Sequence, residues 1–255
     1  MDLSGRRGLV LGIANEHSIA HGCARVFADA GAELAVTWLN EKARPFVEPL
    51  MPGLGARVGM PCDVRVEGQL EAVFERLAAE WGRLDFLLHA IAFAPRDDLH
   101  GLLMDSSAAG FAVAMDVSCH SFVRCARLAR PLMRAAGGGS LLTLSYHGAD
   151  RVVEHYNLMG PVKAALEASV RALAVDLAPD GIRAHALSTG PVATRAASGI
   201  EHFDELIEAV RARTPSHRLV DLGQIGRVAA FLASEAAAPL SGSVTYADAG
   251  FHVIA

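Results

Sequence analysis

Seven short apolar runs, at 9–14, 33–38, 57–64, 84–92, 140–146, 182–189 and 243–248, punctuate this chain of 255 residues. Most are continuously apolar rather than alternating. A strand of that kind is covered on both faces, which is the condition of a parallel sheet flanked by helices. The segments between them, at 19–30, 42–50, 69–81, 111–135, a long one ending near Ala178, and 225–234, carry helical spacing and can serve as crossovers. Gly31, Gly82 and Gly181 follow helical patterns where a left-handed C-terminal residue is wanted. The pattern predicts an α/β fold: a doubly wound, parallel, seven-stranded sheet with helices on both faces.

No Pro/Ser-rich linker, repeat or charge block divides the chain, so 1–255 reads as a single domain. Hydrophobic residues make up 52% but aromatics only 6%, so the apolar excess is Ala, Leu and Val, as in helices packed closely on a buried sheet. The formal net charge of −5 argues against a nucleic-acid binder and against docking to an anionic membrane. No run reaches the roughly 18 residues of a membrane span. Arg6-Arg7 ahead of an apolar stretch imitates a twin-arginine export signal, but the stretch stops at Asn15-Glu16-His17 without a cleavage site and reads as a first core strand. Cys23, Cys62, Cys119 and Cys125 form no C-x-x-C and lie on apolar segments, so buried thiols and a cytoplasmic location are expected. No metal is expected.

In an open parallel sheet a ligand lies beyond the carboxyl ends of the strands, beside the first strand–helix turn. That turn, Gly12-Ile13-Ala14-Asn15-Glu16-His17-Ser18-Ile19, is not G-x-G-x-x-G. It offers Gly12 at the strand exit and Ser18 as a helix cap, a combination that suits a pyrophosphate or serves as a plain connection. Thr37-Trp38-Leu39-Asn40 has neither an acid for a ribose 2′-hydroxyl nor a base for a 2′-phosphate; Lys42 and Arg44 follow later, and the balance leans to NADH. Asp63, ending the third run, can hydrogen-bond an adenine amine or cap a turn.

Tyr156 and Lys163 are seven residues apart, two helical turns, which on a helix beginning near Tyr156–Asn157 places both on one face about 10 Å apart. A lysine so placed can hold a cofactor ribose while the phenol hydrogen-bonds a carbonyl that becomes an enolate. The plainer alternative is a solvated lysine and an interfacial core tyrosine. Tyr146, at the end of the fifth run, lies nearby in sequence.

With Leu9-Val10-Leu11-Gly12-Ile13-Ala14 and Ser18-Ile19-Ala20, Phe93-Ala94-Pro95, Leu141 through Tyr146, Tyr156 through Lys163, Gly190-Pro191 and Arg195 through Ile200, the chain resembles, from end to end, the enoyl-[acyl-carrier-protein] reductase branch of the short-chain dehydrogenase/reductase superfamily. The Y-x6-K spacing is the specific part. Most of the superfamily carries Y-x3-K, and Met159 stands where that tyrosine would be.

The resemblance implies a Rossmann-like fold and reduction of the C2–C3 double bond of a trans-2-enoyl thioester by NADH, in fatty acid biosynthesis. It implies that Tyr156 stabilises or protonates the enolate, that Lys163 binds the nicotinamide ribose and that Tyr146 assists against the thioester. Gly12, Ser18 and Ile19 would face the pyrophosphate, Asp63 and Val64 the adenine, and Ile91 and Val192 the nicotinamide end, with Thr194 also against the cofactor. It implies a substrate-binding loop and helix at about 191–213, with 194–207 closing over the acyl chain, and a homotetramer. The chain departs from the family at Ala90 and Ala92, where H-S-I-G is usual, at Leu39, where some members carry Gln, and at Ala249, where D-G-G is usual. Acyl carrier proteins are acidic, yet Glu201, Asp204, Glu205 and Glu208 crowd the segment beside the expected portal. Docking would then use Arg195, Arg211 and Arg213, the thioester would be of coenzyme A, or the run is only a solvated face. Competing expectations are a 3-oxoacyl or secondary-metabolite enone reductase on the same fold, and a non-catalytic nicotinamide-binding sensor.

Overall fold

Residues 1–154, 156–192 and 203–254 are described by the computed structural model of the chain. Seven strands form one sheet: β1 (Arg7–Leu11), β2 (Glu33–Trp38), β3 (Ala56–Pro61), β4 (Phe86–His89), β5 (Gly139–Tyr146), β6 (Ile182–Thr189) and β7 (Ser243–Ala247). Their order is β3-β2-β1-β4-β5-β6-β7, and every neighbouring pair is parallel. The direction of winding reverses between β1 and β4, so the carboxyl ends of these two strands open a crevice.

The continuous apolar runs have a simple cause. Leu9 and Leu11 of β1 enter one core while Val10 between them enters the other, and Leu87 and Leu88 of β4 divide in the same way. The inner strands therefore spend nearly every side chain on burial, while the edge strands β3 and β7 are mostly half-buried.

Among the described residues nine α-helices join the strands: α1 (Ile19–Asp29), α2 (Arg44–Val47), α3 (Gln69–Trp81), α4 (Arg96–Leu99), α5 (Ala108–Met115), α6 (Ser121–Ala135), α7 (Met159–Leu177), α8 (Phe203–Arg213) and α9 (Leu222–Ala233). α3, α6 and α7 cover one face of the sheet, α1 and α9 the other. α1 and α9 cross so closely that a Cβ on Gly22 would lie 2.7 Å from Leu222 Cβ, and one on Gly226 2.9 Å from the Gly22 carbonyl.

The helix boundaries depart from the sequence pattern in four places. The segment 42–50 shortens to α2 and 3-10 turns because Pro45, Pro49 and Pro52 interrupt it. The 111–135 helix begins earlier, at Ala108, capped by Ser107 Oγ, and α5 passes through one π turn, Asp116–His120, before α6. α9 starts at Leu222 because Asp221 and Gln224 form a capping box. α7 starts at Met159, after Tyr156. Gly31, Gly82 and Gly181 all have positive φ after their helices. Among the described residues no helix is long and apolar enough to cross a membrane, and all four cysteines are buried and unpaired.

Candidate active site

A cleft of about 1000 Å³ opens at the carboxyl edge of the sheet, over the reversal between β1 and β4. Gly12, Ser18, Ile19, Asp63, Val64, Ile91, Tyr146, Tyr156, Lys163 and Val192 all line it. Thr194 and the rest of the 194–202 stretch lie outside the described residues.

The nucleotide end is built from main chain. Gly12 has φ +92°, and a Cβ there would lie 2.5 Å from the Ala90 carbonyl oxygen, so only glycine lets the first turn pass the end of β4. Ser18 is the N-cap of α1: its Oγ accepts from His21 N at 3.3 Å and donates to Asn15 O at 2.7 Å. The amino end of an 11-residue helix thus points at the cleft, where an anion is favoured. Asp63 is a paired, turn-forming acid. Arg65 grips its carboxylate through Nε at 3.0 Å and Nη2 at 2.7 Å, and this hydrogen bonding holds the Asp63 carboxyl below its usual range. Leu39, Asn40 and Lys42 form the wall beyond β2. The shape fits a dinucleotide: a glycine cradle that a Cβ would fill, a helix amino terminus, and an apolar-walled extension on each side.

The reacting end is built from buried side chains. β5 ends at Tyr146, and the chain returns through Tyr156, which stands in the turn before α7 rather than on it. Asn157 follows with φ +38°. The Tyr146 and Tyr156 rings meet edge to face with centroids 4.9 Å apart. Lys163, on the second turn of α7, is 5% exposed and donates from Nζ to Leu144 O at 2.8 Å. The expected common face is therefore reached by a turn plus a helix, not by one helix.

Burial dominates the protonation of these groups. It pushes the Tyr146 phenol up to about 12 and raises Tyr156 above its ordinary value, so both are neutral donors near neutral pH. It draws the Lys163 ammonium down to about 8, against the opposing pull of Cys119 and Glu167. Glu167, one turn beyond Lys163, is raised by burial and accepts from Ser145 Oγ at 2.5 Å. The Tyr146 hydroxyl makes no hydrogen bond among the described residues. A buried, neutral, unpartnered phenol beside a lysine can bind a carbonyl oxygen and stabilise the negative charge that develops on it.

Three supporting residues carried no signal in the sequence. His89 at the end of β4 is fully buried, bonded to Thr143 Oγ1 at 3.0 Å and Ser121 Oγ at 2.7 Å, and burial draws it to about 3, so it is a neutral strut under the site. Ser118, in the π turn, accepts from Phe93 N at 2.9 Å and donates to Phe93 O at 3.0 Å, drawing the chain after β4 out of the sheet and into the cleft wall. Asn157 Nδ2 donates to carbonyls of the loop 98–101. These contacts span tens of residues, and only the π turn, readable as an extra residue in a helix, leaves any trace in spacing. Among the described residues no cluster of three or more His, Cys, Asp or Glu side chains could hold a metal ion. Of the acidic run near the expected portal, Glu208 pairs with Arg211 at 3.1 Å.

Comparison with known proteins gives one consistent result. The family described as Enoyl-(Acyl carrier protein) reductase matches residues 12–252. Enoyl-[acyl-carrier-protein] reductase [NADH] 1 of Rhizobium meliloti is 44% identical over 252 residues, covering 99% of this chain and 92% of that protein. The enoyl-(acyl-carrier-protein) reductase of Anaplasma phagocytophilum, solved in complex with NAD, superposes with a TM-score of 0.94 at 43% identity, covering 98% of this chain and 95% of that one. The Bacillus cereus enoyl-acyl carrier protein reductase, solved with NADP+ and indole naphthyridinone, superposes with a TM-score of 0.96 at 40% identity, and each chain is covered in full.

Proposed function

The chain belongs to the enoyl-[acyl-carrier-protein] reductase family, and on that premise we propose that it reduces the C2–C3 double bond of a trans-2-enoyl thioester carried by acyl carrier protein, with NADH, in fatty acid biosynthesis. NADH when bound supplies the hydride for the β-carbon of the enoyl group.

The observation that carries the assignment of roles is the buried phenol pair beside Lys163 on the cleft wall, of which the Tyr146 hydroxyl makes no hydrogen bond among the described residues. Tyr156 donates to the thioester carbonyl and strengthens that bond as the oxygen gains charge, with Tyr146 as its neighbour against the thioester. Lys163 moves from the Leu144 carbonyl to share its ammonium with the nicotinamide ribose. Gly12, Ser18 and Ile19 face the pyrophosphate, Val64 and the Arg65-paired Asp63 the adenosine, and Ile91 and Val192 the nicotinamide, with Thr194 also against the cofactor. Met159 supports an enoyl rather than an oxo substrate. It lines the cleft at the position where Y-x3-K would place a hydroxyl, and it has none to offer.

We read 1–255 as one reductase unit with its substrate loop and helix at about 191–213, cytoplasmic and homotetrameric. The carrier docks through the bases beside the acidic run, Arg211 and Arg213, exchanging the contacts these make with Glu208 and with the Phe251 ring for its own carboxylates.

The test follows NADH oxidation with a trans-2-enoyl thioester on acyl carrier protein and on coenzyme A, and in parallel with a 3-oxoacyl thioester. Turnover of the enoyl compound, faster on the carrier protein, is expected. Turnover of the oxo compound alone, or of neither, refutes the reading. Tyr156→Phe should lower kcat by about 10²–10³-fold with little change in NADH affinity, as for loss of one donor aimed at an oxyanion.

A further inference from the structure

Asn157 immediately follows Tyr156 and is one of three non-glycine residues with positive φ among the described residues. Its Nδ2 lies in a crown of three main-chain carbonyls from the loop across the cleft: Asp98 at 3.2 Å, His100 at 3.2 Å and Gly101 at 3.3 Å. That loop carries Ala94, Arg96 and Leu99 into the cleft wall. Its other side is tied down where Asp98 Oδ1 accepts from Ser107 N, at the amino end of α5. The Asn157 carbonyl in turn accepts from Gly160 N at 3.1 Å, within the first turn of α7. One residue therefore joins the turn that carries the phenol, the helix that carries Lys163, and the wall facing them.

The residue type follows from the two demands. Backbone at φ +38° is tolerated by Gly, Asn and Asp, and costs other residues roughly 1–2 kcal/mol. A crown of carbonyls requires an N–H donor, which neither Gly nor Asp has in its side chain. Asparagine alone of these meets both.

We propose that Asn157 is a positioning residue for the reduction: its amide fixes the Tyr156 phenol against the 94–101 wall, and so sets where the thioester carbonyl must lie to receive the hydrogen bond. The inference rests on the enoyl-reductase reading of the cleft. Asn157 acts through Tyr156 and the loop, not on substrate.

Two variants of the full-length protein test it. Asn157→Gly keeps the backbone conformation and deletes the amide; Asn157→Asp keeps the shape and replaces the donor with an acceptor. Both are expected to lower kcat for a trans-2-enoyl thioester by about 10- to 100-fold, the scale of an ångström-sized misplacement. Both should leave the Kd for NADH unchanged and speed hydrogen exchange of the amides at 98–105, with a fall in Tm of a few degrees that is larger in Asn157→Asp, where an acceptor faces three carbonyl oxygens. Wild-type kcat in Asn157→Gly would overturn the proposal by showing that only the backbone matters. Loss of NADH affinity along with the fall in Tm would overturn it as a general defect of the fold. Wild-type turnover separately decides the reductase reading. If the wild-type protein reduces no enoyl thioester, unchanged exchange at 98–105 in Asn157→Gly would still refute the clamp, and faster exchange would still support it.

Discussion

At the amino edge of the sheet a single buried carboxylate, Asp85, accepts from Arg6 Nη1 at 3.1 Å, from the Arg7 amide at 2.9 Å and from Arg83 at 2.5 Å. Nearby, Glu33 holds Arg7 and the Trp81 indole, and Arg183 donates to the carbonyls of Leu232, Ser234 and Ala237. At the carboxyl edge the opposite holds. The Tyr146 hydroxyl, His147 Nδ1, Asn157 Oδ1 and Ser188 Oγ are buried and make no hydrogen bond among the described residues. Both edges belong to the same seven parallel strands. The contrast is one of degree, since Ser243 Oγ at the start of β7 and His185 Nδ1 are also without a partner, but only at the carboxyl edge does an unpartnered buried donor, the Tyr146 hydroxyl, line the cleft, where a substrate oxygen gains most from it.

Exchanging the two behaviours breaks the contrast. Asp85→Ala strands a cluster of donors, and is expected to cost about 2–4 kcal/mol in urea unfolding with KM and kcat of the folded protein unchanged. A fall in kcat at constant stability would show that the two edges are coupled.

A smaller effect separates the edges by pH. Lys163, drawn down to about 8, loses its proton as pH rises through that value, so the KM for NADH should increase on the order of 10-fold between pH 7 and pH 9.5, the difference between a charged and a neutral donor. Folding stability moves the other way. Below about 8 the buried ammonium carries its full burial cost, and between that value and the ordinary lysine value the unfolded chain binds a proton that the folded chain does not, so the Lys163 contribution rises with pH. A pH-independent KM would remove Lys163 from the ribose.

The smallest effect concerns Ala249, at φ +57° between Asp248 and Gly250. Ala249→Gly relieves a left-handed alanine and should stabilise by about 1 kcal/mol, a rise of ~2–4 °C in Tm, without altering turnover.

The strand–helix alternation was legible because the inner strands bury both faces, which leaves apolar runs such as the one around Phe86–His89; the run at 182–189, although broken by Arg183 and His185, matches β6 residue for residue. Tyr156 and Lys163 were singled out by residue type and spacing, Gly12 and Ser18 by their place at the first turn and Tyr146 by the family resemblance, and all five line the one cleft. The start of α7 was not. Tyr156 and Asn157 are held outside it by contacts with a loop more than fifty residues away, which helix propensity does not register. The same remoteness concealed His89, whose partners Ser121 and Thr143 come from another helix and another strand. For Asp63 the structure shows the turn-forming role, with Arg65 on its carboxylate, at a position that lines the cleft.

The π turn at Asp116–His120 has a consequence for how this architecture can vary. Ser118 within it holds Phe93 on one wall, and α5 leads back from it to Ser107, which holds Asp98 and through it the loop bonded to Asn157. Each residue of helix turns the chain by about 100°. Deleting one residue here would straighten the helix and swing the Ser107 anchor round by that angle relative to Ser121 and His89. The width of the cleft is thus kept by a count of residues as well as by their identity: between Ser107 and Ser121 the length of the segment matters as much as the Ser118 hydroxyl it carries.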